Sequence, residues 1–173
     1  MSPRVVLVGA PGAGKTTVGR LVAERLEVPF ADSDHLVEAA AGTSVADIFV
    51  VEGEPRFREL EREVVSSALP GFDGVLALGG GAVLDARTRA DLAEQQVVLL
   101  RVGLAAASRR VGLNRDRPLL MGNVRATLGT LLQERAAVYE QVARASVDTD
   151  DLTADEVAAA VLALVADGVQ DRR

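Results

Sequence analysis

The segment GAPGAGKT at residues 9–16 follows the β-branched apolar run RVVLV and precedes TVGRLVAERL, whose apolar residues recur at helical spacing. No other stretch constrains the fold as strongly, because the pattern G-x-x-x-x-G-K-[ST] works only where a strand hands the loop to a helix N-terminus. Gly9, Gly14, Lys15 and Thr16 fill that pattern. Loop and helix-start N–H groups, those of Gly12, Ala13, Gly14, Lys15, Thr16 and Thr17, are then candidates to surround phosphate oxygens. Lys15 would offset β/γ-phosphate charge and Thr16 would bind Mg²⁺. A nucleotide-binding site is the expectation, but phosphate binding alone does not separate a switch, a motor or a kinase.

Downstream, strand-like and helix-like segments alternate. Strands are expected around 4–8, 29–32, 75–78, 96–102 and 145–149, separated by stretches long enough for right-handed βαβ crossovers. A helix should run from about Lys15 to Leu26, and Ser33 or Asp34 would cap the next, which Gly42 would end. TSVADIFVVEG predicts a short helix, EPRFRELEREVVSSAL a longer one with Phe57, Leu60, Val64, Val65 and Leu69 on its apolar stripe. GLNRDRPLLMG mixes glycine, proline and both charges without a period and reads as a loop that could act as a lid. A last helix opens at TADE, a capping box of Thr153 and Glu156, and the tail from Asp167 is expected to fray. With 173 residues, no repeat and no linker, the chain predicts a single domain whose functional groups share one cleft.

Composition narrows the partners. A net charge of −6 disfavours a broad nucleic-acid surface while permitting a local arginine cluster. The absence of cysteine removes disulfides, thiolate catalysis and a cysteine zinc site. MSPR enters the first strand without a long apolar segment, so the expectation is a cytoplasmic protein that contacts no membrane.

Several side chains then ask for a role. Asp32, at the end of a strand near the phosphate loop, could hold Mg²⁺ through water, or simply form a turn or cap. Asp34 could accept hydrogen bonds from a polyol, or cap a helix. Gly79, Gly80 and Gly81 would let a ligand meet backbone N–H groups, or form a plain turn. Arg135 sits four residues from both Leu131 and Tyr139, on the otherwise apolar stripe of the helix Val124–Val142, which a bound carboxylate, an internal ion pair or a side chain reaching past the edge would each explain. Arg58 flanks the apolar stripe of a densely charged helix, where a solvated side chain is equally at home. Phe49 and Phe57 could wall a carbon ring or pack in the core; His35 reads as a helix-surface residue. Arg115 and Arg117, with Pro118 between Gly112 and Gly122, could approach a transferring phosphate or belong to a solvated loop.

The blocks GAPGAGKT, ADSD, TSVADIF, GEPRFRELE, GGGAV, NRDRPLL and ERAAVYEQVA run in order over roughly residues 4–150 and closely resemble those of shikimate kinases. The resemblance implies phosphorylation of shikimate at its 3-hydroxyl by ATP, within aromatic amino acid biosynthesis. It implies a three-layer α/β/α P-loop fold similar to nucleoside monophosphate kinases: a five-stranded parallel sheet in the order 2-3-1-4-5, a substrate-binding helical region at about 33–62 and a mobile lid at about 112–122. It also implies roles. Lys15, Asp34 and Arg117 would be catalytic, with Thr16 and Asp32 at Mg²⁺. Asp34, Arg58, Gly79, Gly80, Gly81 and Arg135 would bind shikimate, the two arginines at its carboxylate, while Arg110 meets adenine and Arg117, in the lid, also meets ATP. A monomer without an obligate protein partner is the matching expectation. A gluconate or nucleoside monophosphate kinase of the same fold, or an ATP-responsive protein without turnover, remains an alternative.

Overall fold

The computed structural model describes residues 1–112 and 123–170. β1 (Val5–Val8), β2 (Phe30–Asp32), β3 (Val75–Ala77), β4 (Val97–Arg101) and β5 (Ala145–Asp148) form one sheet in the order β2-β3-β1-β4-β5. Every neighbouring pair is parallel. All strands therefore end on the same edge, the place where open α/β sheets bind ligands.

Alternation along the strands divides the core. Val5 and Leu7 of β1, with Val98 and Leu100 of β4, pack against α1 (Lys15–Leu26) and α8 (Ala154–Gln170). Val6 and Val8, with Val97 and Leu99, face the opposite layer. There α4 (Glu54–Ala68) supplies Val65, α5 (Ala86–Leu92) supplies Leu92 and α7 (Val124–Val142) supplies Tyr139. A period of two thus makes both faces of the strands apolar, as a sheet buried on both sides demands. The three-layer expectation and the strand order are both met.

Between β2 and β3 the chain inserts α2 (Ser33–Ala41), α3 (Val45–Val51) and α4. These helices carry a small core of their own, built on Val37, Ile48, Phe57 and Leu60. α6 (Leu104–Gly112) and α7 share another, made by Ala107, Val111 and Leu128. The lid expected at 112–122 begins at the last residue of α6 and otherwise lies outside the described residues. The helix α8 reaches Gln170, so its hydrogen-bonded backbone extends into the segment expected to fray.

One local expectation needs correction. The N-cap of α2 is Asp32 and not Ser33 or Asp34: its carboxylate accepts from the Asp34 N–H at 3.0 Å. Ser33 is instead fully buried, and its hydroxyl takes a hydrogen bond from elsewhere.

Candidate active site

The phosphate loop is shaped by backbone that glycine alone adopts cheaply. Gly12 has φ +83°, and a Cβ there would stand 2.9 Å from the Ala107 carbonyl oxygen, so α6 packs directly on the loop. Lys15 opens α1, and its ammonium donates to the carbonyls of Gly9 (2.7 Å) and Ala10 (3.1 Å), folding back over the loop it belongs to. Thr16 Oγ1 donates to Asp32 Oδ2 at 2.7 Å. One Asp32 side chain thus uses both its oxygens, one capping α2 and the other meeting the phosphate-loop threonine. Arg110 ties the far side of the loop: Nη1 donates to the Gly12 carbonyl and to Thr149 Oγ1, each at 3.1 Å, and Nη2 to the Thr149 carbonyl at 3.0 Å.

Beside this loop lies a second group of residues, gathered from four parts of the chain. The triple glycine follows β3, and the Gly79 N–H donates to Ser33 Oγ at 2.7 Å. A Cβ on Gly79 would reach 2.6 Å from Glu61 Oε1 and 3.1 Å from Asp34 Oδ1, so the two carboxyl groups converge on that glycine. A Cβ on Gly80 would lie 3.1 Å from Pro11 of the phosphate loop and 3.4 Å from both Arg135 Nη1 and the Tyr139 hydroxyl. One on Gly81 would collide with the Arg58 guanidinium. A side chain would therefore meet Glu61 at Gly79, Pro11 at Gly80 and Arg58 at Gly81.

Arg135 is 6% exposed, as its place on an apolar stripe predicts, with Leu128 and Tyr139 buried on the same face of α7. Arg58 is held by carboxylates on its own helix, donating to Glu61 Oε2 at 2.7 Å and to Glu54 Oε1 at 3.3 Å, while its guanidinium stands 5.2 Å from the Phe57 ring centroid. Phe57 in turn packs on Phe49, their centroids 4.7 Å apart. The outer face of Arg58 borders a pocket of about 420 Å³ that also takes in Glu61, Gly81 and Thr88. His35 is exposed on α2, as expected of a surface residue. Arg115, Arg117, Pro118 and Gly122 lie outside the described residues.

Two side chains here were given no role by the sequence reading. Glu61 is 2% exposed, and its Oε1 has no hydrogen-bond partner among the described residues. Burial raises its pKa above the ordinary carboxyl value, with the charge and hydrogen bond of Arg58 opposing the shift. Its signal was available: Glu61 is four residues from both Phe57 and Val65, on the buried stripe of α4. Tyr139, the chain's single tyrosine, is 4% exposed and donates to the Gly80 carbonyl at 2.6 Å. Burial raises its pKa as well, against the nearby Arg135 charge, so its hydroxyl remains a donor at neutral pH.

Comparison with known proteins gives the family. The family model "Shikimate kinase" matches residues 11–166. The shikimate kinase of Thermobifida fusca is 55% identical over 90% of this chain and 91% of its own. That of Saccharopolyspora erythraea is 56% identical over 90% and 89%. Among solved structures, the shikimate kinase from Acinetobacter baumannii in complex with shikimate superimposes with a TM-score of 0.92 at 36% identity, covering 97% of this chain and 94% of that one. The chain belongs to the shikimate kinase family.

Proposed function

We propose that the chain transfers the γ-phosphoryl group of ATP to the 3-hydroxyl of shikimate by direct in-line displacement, giving shikimate 3-phosphate and ADP. One observation carries the reading: Arg135 stands beside Gly80 and Arg58 beside Gly81, while Pro11 of the phosphate loop touches the same turn. A carboxylate held between those guanidiniums leaves the rest of a small polyol next to the phosphate loop. Bidentate arginine contacts would fix its orientation, which is most of what an enzyme contributes to phosphoryl transfer.

The roles follow from position. The hydroxyl oxygen forms the new bond to the γ-phosphorus as the bond to the β,γ-bridging oxygen breaks, and ADP leaves. Lys15 and the loop N–H groups stabilise the phosphate charge; Arg117 does so from the lid on the strength of the resemblance. Asp34, converging with Glu61 at Gly79, orients the acceptor hydroxyls and takes the proton, which can depart late in such a displacement. Thr16 Oγ1 and the Asp32 carboxylate are hard oxygen donors at the loop edge, a pairing that suits Mg²⁺, which takes few protein ligands alongside phosphate and water. When bound, Mg²⁺ would neutralise charge on the β and γ oxygens. Arg110, next to Thr149, would meet the adenine.

The test is ADP formation with ATP and Mg²⁺ in the presence of shikimate, gluconate or nucleoside monophosphates, with the product identified. Turnover that depends on shikimate and yields the 3-phosphate is the expected result. Preference for another acceptor, or ATP binding with no acceptor-dependent ADP, would overturn the reading.

A further inference from the structure

The glycine turn that lines the acceptor site has almost no rigidity of its own, since glycine gives up more backbone freedom on folding than any other residue. Its position is set by outside ties. Ser33 on α2 accepts from the Gly79 N–H, and within the turn the Ala82 N–H donates to the Gly79 carbonyl at 3.0 Å and the Leu84 N–H to the Gly81 carbonyl at 3.0 Å. The Gly80 carbonyl is held by Tyr139 alone among the described residues, through a bond of 2.6 Å that spans 59 positions of sequence. These contacts leave the N–H groups of Gly80 and Gly81 without an acceptor among the described residues.

The peptide that Tyr139 grips joins Gly80 to Gly81. There is no cis bond among the described residues, so the carbonyl and the N–H of that peptide point in opposite directions. Fixing the carbonyl on Tyr139 therefore also fixes the direction of the Gly81 N–H, in a turn flanked by two guanidiniums, Arg135 at Gly80 and Arg58 at Gly81. Arg135 is one helical turn before Tyr139, on the same face of α7, and its Nη1 stands beside Gly80. One helix thus sets both a cation and the orientation of a neutral donor.

We infer that Tyr139 is a positioning residue for the carboxylate end of the acceptor: its hydroxyl holds the Gly80–Gly81 peptide in register with Arg135, so that guanidinium and backbone N–H meet one anion. A buried tyrosine hydroxyl normally finds some partner. Here the partner is the most pliable peptide of the site, and the tie comes from the helix that carries the buried arginine. The inference rests on the acceptor reading given above.

The experiment is Tyr139→Phe, which keeps the buried ring and removes only the hydroxyl. KM for shikimate should rise about tenfold, the equivalent of one lost well-placed hydrogen bond, while kcat and the KM for ATP stay within about threefold. On the methyl ester of shikimate, which carries no carboxylate charge, the loss of kcat/KM should shrink to about twofold or less. An unchanged shikimate KM, whatever happens to the melting temperature, would overturn the inference, because the hydroxyl would then serve folding alone. So would a joint rise in both KM values, or an equal penalty on acid and ester. Wild-type protein that binds ATP but does not turn over shikimate would overturn the acceptor reading itself, and the inference with it.

Discussion

The two ends of the cleft are built in opposite ways. At the phosphate end, residues 9–17 form a continuous piece of chain whose donors are chiefly backbone N–H groups, with Asp32 and Arg110 as distant partners. The proposed acceptor end draws Asp34 from α2, Arg58 and Glu61 from α4, the glycines after β3, and Arg135 and Tyr139 from α7. The first needs only a strand, permissive glycines and a helix start. The second exists only once three helices have packed correctly on the sheet and on each other. A local motif can therefore be intact in a chain that has lost its acceptor, whereas an intact acceptor site certifies the whole fold.

That contrast predicts where damage should appear. The largest effect belongs to Lys15→Met, expected to lower kcat by about a hundredfold or more through lost charge stabilisation while shikimate binding, measured by titration, hardly changes. An equal loss of shikimate affinity would mean that the two ends are not separable. Arg135→Ala comes next. Loss of a charge-assisted pair should raise the shikimate KM roughly thirty- to hundredfold with ATP binding nearly intact, and a defect confined to ATP would move Arg135 out of the acceptor site.

Glu61→Gln should be milder, raising the shikimate KM about tenfold because the Arg58 guanidinium loses its anionic anchor. It also has a signature in pH. The native state holds the Glu61 proton above the ordinary value of 4.5, so native protein binds more protons than unfolded chain as pH rises through that window. Stability contributed by the protonated form is present below 4.5 and is lost as pH climbs towards the raised native value. Urea unfolding of wild type and Glu61→Gln across this range should show the decline only in the wild type. Parallel curves would place the titration on another group.

The smallest effect is expected of Ser33→Ala, which strips the Gly79 N–H of its acceptor. Stability should fall by about 1 kcal/mol, with the shikimate KM rising no more than about threefold. A larger kinetic defect would show that the α2 tie, and not the α7 tie, governs the glycine turn.

The same contrast explains what the sequence made legible. GAPGAGKT could be read outright, because spacing and context are the site. Each strand was found, though the ladder is shorter than expected at one or both ends: 96–102 was expected of β4, and Val97–Arg101 pairs. The order of strands came through the resemblance, since periodicity says which faces are buried and nothing about which strand lies beside which. Arg135 stood out as a charge on an apolar stripe. Glu61 has the same geometry and passed unnoticed, because EPRFRELERE surrounds it with carboxylates and arginines that are solvated. Tyr139 was seen as a ring on a stripe; that its hydroxyl reaches Gly80 is a fact about the distance between α7 and the β3 edge, which no local pattern encodes. Asp32 is the helix cap its sequence allowed, and because a carboxylate has two oxygens the second is left to meet Thr16.

The hold on Arg110 carries a last consequence. Its guanidinium is already fixed by three hydrogen bonds, to Gly12 and Thr149. A long, flexible side chain gives up rotamer entropy when it is immobilised. For Arg110 that loss belongs to folding, so an adenine bound there as proposed would meet a guanidinium that need not be frozen again, and its affinity would not be diminished by ordering the arginine. The phosphate loop and the turn at Thr149 after β5 are, in this sense, tied into one body by Arg110 before any nucleotide arrives.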